Sequence, residues 1–212
     1  MFLENFARNA MIIQKQLKLI IIFGIGLAAI FLAVSPAIMG LKYLDAGASA
    51  VVLERYVSLI GVILLTPLFF PEQNKDIAEL VEAKYTSHMT IIFLRLIASL
   101  VVLFIMILIM ILIMKNGGCD FPFGKYLAGT FITAFVLGAL GFAGSGISGN
   151  LIAGYLLAMC CYILNFGLGK KLGNFYLFTM SRSFTEKYYL LAAAVVLIGL
   201  TFLVTYIRFK KR

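Results

Sequence analysis

Charge is scarce in this sequence. Of its 212 residues, 18 are Lys or Arg and 9 are Asp or Glu, together 13%, against roughly 25% in soluble domains. A soluble domain of this size cannot cover its surface with so few charges. That excludes an ordinary globular enzyme, a nucleic-acid-binding domain and a disordered chain. Cysteine is also scarce, at three residues. Cys160 and Cys161 fall in an apolar run and read as small packing residues, while Cys119 stands alone in a loop, so no disulfide framework is implied. The abundant component is apolar: 63% of residues are hydrophobic and the mean hydropathy is +1.06. A polytopic membrane protein is what remains. The net charge of +9 is scattered along the chain, which suits membrane orientation and anionic headgroups better than a nucleic acid.

Gaps between charges give the spans, because a helix needs about 20 apolar residues to cross the hydrocarbon. Uncharged runs extend over Leu19–Leu41, Tyr56–Pro71, Leu96–Met114, Tyr126–Gly169 and Tyr188–Ile207. The fourth is about twice one span and is broken by the glycine-rich Gly144-Ser145-Gly146-Ile147-Ser148-Gly149-Asn150. The second is short, so its helix is expected to begin earlier, with Glu54 and Arg55 near the headgroups or paired with each other. Pro36 and Pro67 should bend their helices. The expected fold is an all-α integral membrane protein, one domain over 1–212. Its six transmembrane helices are placed near 19–41, 52–71, 91–114, 126–144, 148–168 and 188–207.

Six spans put both termini on one side. The basic flank Arg8, Lys15 and Lys18 and the tail Arg208, Lys210, Lys211 and Arg212 favour cytoplasmic termini. Lys170, Lys171, Arg182 and Lys187 then fall outside and oppose that bias. The first apolar run is too long for a signal-peptide core and lacks a clear small-residue cleavage site, so it is expected to stay as an anchor.

Three segments lie outside the predicted hydrocarbon. In residues 1–18, Leu3, Phe6, Ala10, Ile13 and Leu17 recur at spacings of three and four, apart from Glu4, Arg8 and Lys15. This predicts an amphipathic helix lying in the interface. Residues 72–88 hold four of the nine acids, Glu72, Asp76, Glu79 and Glu82. Asn74 can cap a short helix there, and acids in its first turns suit the dipole. Ile77, Leu80, Val81 and Lys84 share one face. This helix reads as a docking surface rather than a merely solvated face. A metal or catalytic role is disfavoured, because His88 is the only histidine and a zinc site would lean on carboxylates. The third segment, 169–187, carries Leu172, Phe175, Tyr176, Leu177, Phe178 and Met180, too apolar for a free loop. It reads as a partly re-entrant or interface-lying stretch, with an aromatic belt as the alternative.

The spans lack the chemistry of a self-powered transporter or an enzyme. Ion-driven transporters use ionisable groups within the membrane, and here only Glu54 and Arg55 come close, near one end of a span. Arg95 sits at a span edge, where snorkelling accounts for it. No run matches the phosphate-binding G-x-x-x-x-G-K-[ST]. No nucleophile has a base beside it, and the Gly138, Gly141, Gly144, Gly146 and Gly149 cluster reads as close helix packing.

This layout resembles the permease subunit of type-2 ABC exporters, in particular small bacterial members. The residues that carry the resemblance are Glu72, then Glu79-Leu80-Val81 with Lys84-Tyr85 and Ser87, then Arg95 opening the third span. Gly173-Asn174-Phe175-Tyr176-Leu177-Phe178-Thr179-Met180 with Glu186-Lys187 is similar to the external region before the last span. A proline that often follows the Glu-Leu step in that family is absent here.

The resemblance implies a transport subunit rather than an enzyme, in the bacterial plasma membrane. Glu72, Lys75, Asp76, Ile77, Glu79, Leu80, Val81, Glu82, Lys84 and Tyr85 would form a coupling helix on a separate cytoplasmic P-loop ATPase. Arg95 would mark the cytoplasmic edge of its span. Phe175, Tyr176 and Phe178 would gate the outer mouth. This chain would bind no metal or cofactor, ATP and Mg residing on the partner. A second permease chain, identical or related, would complete the pathway within the lipid bilayer, and no nucleic acid is involved. An uncharged, aromatic interior suits a hydrophobic or amphipathic substrate such as a peptide, a lipid-like molecule or a drug. The alternatives are a six-span substrate-binding subunit of a vitamin importer, a membrane-embedded processing enzyme, and a non-transporting scaffold.

Overall fold

The computed structural model describes residues 22–36, 40–73, 88–180 and 184–210. The predicted interfacial helix at 1–18 and most of the acidic segment, 74–87, lie outside them. The described elements are helices joined by short turns. Helix α1 covers Ile22–Pro36. Helix α2, Ala46–Arg55, continues through a 3₁₀ turn at Val57–Leu59 into α3, Ile60–Leu65, and then a 3₁₀ stretch at Thr66–Gln73. Helices α4, α5 and α6 cover His88–Asn116, Phe123–Ser148 and Leu151–Leu168. A 3₁₀ segment, Gly169–Phe175, leads towards α7, Thr185–Lys210.

Five of these helical stretches are long and apolar enough to cross a membrane: Ala46–Phe70, Met89–Asn116, Phe123–Ser148, Leu151–Leu168 and Glu186–Arg208. Helix α1 is apolar but shorter in its described part. Local chemistry sets the boundaries. Asp45 caps α2 by accepting from the Ala48 amide at 3.1 Å, and Asn150 caps α6 by accepting from the Ile152 amide at 2.9 Å. Helix α5 ends on Gly149 at φ 69°, a left-handed position that a glycine fills without strain. The glycine-rich run therefore does not break the helix at Gly144; α5 continues to Ser148, and only Gly149 and Asn150 form the turn. Pro67 falls at the change from α-helix to 3₁₀ geometry, where its missing N–H costs least.

Helix α5 is the centre of the bundle, packed against α3, α6 and α7. Two seams lack side chains where backbones meet. A Cβ on Gly61 would lie 1.9 Å from the Ala134 carbonyl oxygen, and one on Gly144 would lie 2.8 Å from the Cα of Gly154. Small residues at such seams let helices approach to backbone contact.

Contacts at the two ends fix which helix termini lie together. At one end, the Tyr43 amide donates to the Gly117 carbonyl, the Asp120 amide to the Leu44 carbonyl, and Tyr126 Oη to the Ala46 carbonyl. At the other, the Phe69 ring packs tilted against Phe142 at 4.7 Å and Phe142 against Phe202 at 5.7 Å. Phe93, near the start of α4, meets Phe202 at 6.2 Å. Arg208 Nη2 donates to the Ile147 carbonyl at the end of α5. Gln73 and the start of α4 thus flank the acidic segment at the same end as the basic terminus of α7.

Candidate functional site

A charged centre lies inside this apolar bundle. Glu54 is on α2, eight residues after Ala46, about 12 Å along the helix. Lys187 is on the first turn of α7. Lys187 Nζ meets Glu54 Oε1 at 2.5 Å, with side chains 0% and 3% exposed. The ammonium also donates to Thr133 Oγ1 and to the Leu177 carbonyl, each at 2.6 Å. Its three N–H donors therefore have three acceptors. Glu54 Oε1 accepts in addition from the Met180 amide at 2.9 Å. Thr133, ten residues into α5, donates its own O–H to the Gly129 carbonyl at 2.9 Å, which leaves an oxygen lone pair for the lysine.

Such a pair is costly to desolvate, and survives only when its remaining hydrogen-bonding capacity is met. Here it ties four parts of the chain together: α2, α5, the segment 176–180 and α7. Leu177, Phe178, Thr179 and Met180 are buried although none is helical. Side chains meet the Leu177 carbonyl and the Leu177 and Met180 amides. Asn165 Oδ1, buried on α6, accepts from the Leu177 amide at 2.9 Å, while its Nδ2 donates to the Cys161 carbonyl at 3.0 Å.

Beside the pair, Arg55 points away from Glu54. Its guanidinium carbon lies 4.8 Å from the Phe166 ring centre and 5.8 Å from that of Phe178. Tyr162 Oη donates to the Arg55 carbonyl at 2.7 Å. The expectation that Glu54 and Arg55 pair is thus corrected: neighbours in a helix point about 100° apart, and Glu54 takes the lysine across the core.

Arg95 also departs from the snorkelling expectation. It is 1% exposed, seven residues into α4, and Nη1 donates to the Leu68 carbonyl at 3.3 Å. In the 3₁₀ stretch the donor position for that carbonyl is Pro71, which has no N–H. Among the gate candidates, Phe178 is 6% exposed and packs on Tyr162, Phe166 and Tyr176 at 5.8, 5.3 and 5.8 Å. Tyr176 is half-buried, whereas Phe175 is 63% exposed and stands apart from this group. Glu72 lies in the 3₁₀ stretch Thr66–Gln73. Lys75, Asp76, Ile77, Glu79, Leu80, Val81, Glu82, Lys84 and Tyr85 lie outside the described residues.

Sequence reasoning missed the Glu54–Lys187 centre because it treated Lys187 as an external charge. The signal was present. Spans two and six run the same way in a six-span layout, and each carries an adjacent acid and base near its start, Glu54-Arg55 and Glu186-Lys187. Elsewhere, Phe23, Leu27, Ile63, Pro67, Phe70 and Tyr155 line an apolar cavity of about 290 Å³ between α1, α3 and α6. Among the described residues no three His, Cys, Asp or Glu side chains cluster as metal ligands.

Comparison of the chain with protein-family models, with curated proteins and with solved structures gives no match. The described helices define its class only as an all-helical chain suited to multi-pass membrane insertion.

Proposed function

We propose that this chain is the membrane-spanning permease subunit of an ATP-driven transporter of the ABC type, working with a separate cytoplasmic ATPase and a second permease chain. On this reading α1 extends towards the amino terminus to complete a sixth span, and both termini are cytoplasmic. The exported substrate is hydrophobic or amphipathic. One observation carries the proposal. Gln73 and the start of α4, which border the acidic segment in sequence, lie at the bundle end where Arg208 also lies, and on this reading that end faces the cytoplasm.

The charged centre supports the same reading from the other side. Glu54 and Lys187 neutralise each other, with all three Lys187 donors and Glu54 Oε1 hydrogen-bonded. They act as an anchor for residues 176–180 beneath the outer face rather than as an open ion site. Residues 176–180 then form the gate, and they move when the ATPase drives the bundle.

Co-expression with candidate cytoplasmic ATPases and affinity capture of this chain tests the proposal. A P-loop ATPase should co-purify, and reversing charge at Glu79 and Glu82 should release it while the spans stay folded. Retention of the ATPase and of full ATP-driven transport by the reversed protein would sink the coupling assignment.

A further inference from the structure

Among the described residues, the ion pair leaves one neighbouring cation without a hydrogen-bonded partner. Lys187 takes Glu54, and Arg55, the next residue on α2, is left on the flank of the bundle. It is partly exposed. Its guanidinium stacks on Phe166 and faces Phe178, and among the described residues no acceptor lies within hydrogen-bonding distance of it. Arg55 follows Ala46 by nine residues, about 13 Å along the helix. On the membrane reading this puts a guanidinium below the interface with N–H donors that an oxyanion can satisfy.

An apolar track leads to the same point. Ile152, Leu156, Met159, Ile163 and Phe166 follow one another on α6 at spacings of four, three, four and three, which keeps them on one face. All are exposed, at 66%, 60%, 41%, 64% and 47%. The track runs about 21 Å along the helix and ends at Phe166, under the guanidinium. A cationic head at one end of a long apolar stripe is complementary to a molecule with an anionic head and an apolar tail.

We infer that Arg55, with Phe166 and Phe178, forms a membrane-side site for the oxyanion headgroup of an amphiphile whose tail lies along α6. The head is a phosphate or a carboxylate. Arg is suited to either, because its planar fork meets two oxygens at once, and its face remains available to the aromatic ring. The inference rests on the membrane placement of α2 and α6 and needs no ATPase partner, so it can fail or stand independently of the transport reading.

Native mass spectrometry of the purified, delipidated full chain tests it, titrating with phosphatidylglycerol, phosphatidylcholine or oleate. The first phosphatidylglycerol, the first oleate or both should bind about tenfold more tightly than the first phosphatidylcholine. Preference for phosphatidylglycerol alone identifies a phospholipid phosphate; preference for oleate alone identifies a fatty-acid carboxylate. Arg55→Gln should abolish the preference, and Arg55→Lys should keep part of it. Should Arg55→Gln fail to fold, Phe166→Leu provides the second test and should weaken the same first binding event several-fold. Equal binding of all three amphiphiles to the unaltered chain overturns the site, as does an unchanged preference in a folded Arg55→Gln protein.

Discussion

Lys187 and Glu54 stand 133 positions apart in sequence and 2.5 Å apart in the bundle, with side chains 0% and 3% exposed. Each leaves water only because the other is there. Breaking one side strands a buried charge, whereas replacing both by apolar groups removes the desolvation cost together with the attraction. Lys187→Met or Glu54→Leu alone should therefore destabilise the protein by about 3–5 kcal/mol. The double variant should recover much of that loss. Thermal unfolding in detergent, run as a double-mutant cycle, measures the coupling; additive single effects would count against a direct pair.

Asn165 makes a separate contribution. Its amide holds the Leu177 backbone at 2.9 Å and the Cys161 carbonyl at 3.0 Å. Asn165→Leu leaves the Leu177 amide without its partner, at a cost of about 1–3 kcal/mol. Loosening should be local. Hydrogen–deuterium exchange should rise at residues 176–180 and stay unchanged in the middle of α5.

The glycine seams give a steric prediction. Gly61→Ala places a methyl group 1.9 Å from the Ala134 carbonyl oxygen, so α3 and α5 must part. A loss of about 1–3 kcal/mol is expected. Gly26→Ala is the control, since nothing lies within 4 Å of its Cβ position. It should be neutral or slightly stabilising, because alanine is the better helix former. Both variants can be compared by melting temperature in the same detergent.

Topology can be read by labelling single cysteines in a chain whose own three are replaced. Asp120 and Ser148 are exposed at opposite ends of α5. Asp120→Cys should react with an impermeant thiol reagent added outside intact cells, and Ser148→Cys should react only after permeabilisation. The reverse pattern would place the acidic segment outside and remove the contact with a cytoplasmic ATPase.

Several features were legible before any fold was known, and for local reasons. Apolar runs of about 20 residues name their own helices. The glycine-rich run announced a turn in the long apolar stretch, although the turn falls at Gly149 and Asn150 and not from Gly144. The clustered glycines announced close packing, and Gly144 meets Gly154 as that reading expects. Boundaries were less legible. The second helical stretch begins at Ala46, not near residue 52, because Asp45 caps it and the charge of Glu54 is met within the core. Charge counting takes such a residue for the end of a span.

The sequence by itself determined that this chain folds as apolar helices, since 27 charges cannot clothe a soluble domain of 212 residues, and backbone groups in an apolar medium must satisfy one another. Only the tertiary structure decided what the few charges near the spans do. Whether Glu54 meets Arg55, solvent or Lys187 depends on how α2, α5 and α7 pack, which no local pattern encodes. The same packing turns Arg95 inward to the Leu68 carbonyl and leaves Arg55 on the flank. Pairing between distant charges is set by three-dimensional approach, and burial makes it matter, because an unmatched charge costs most where water is absent.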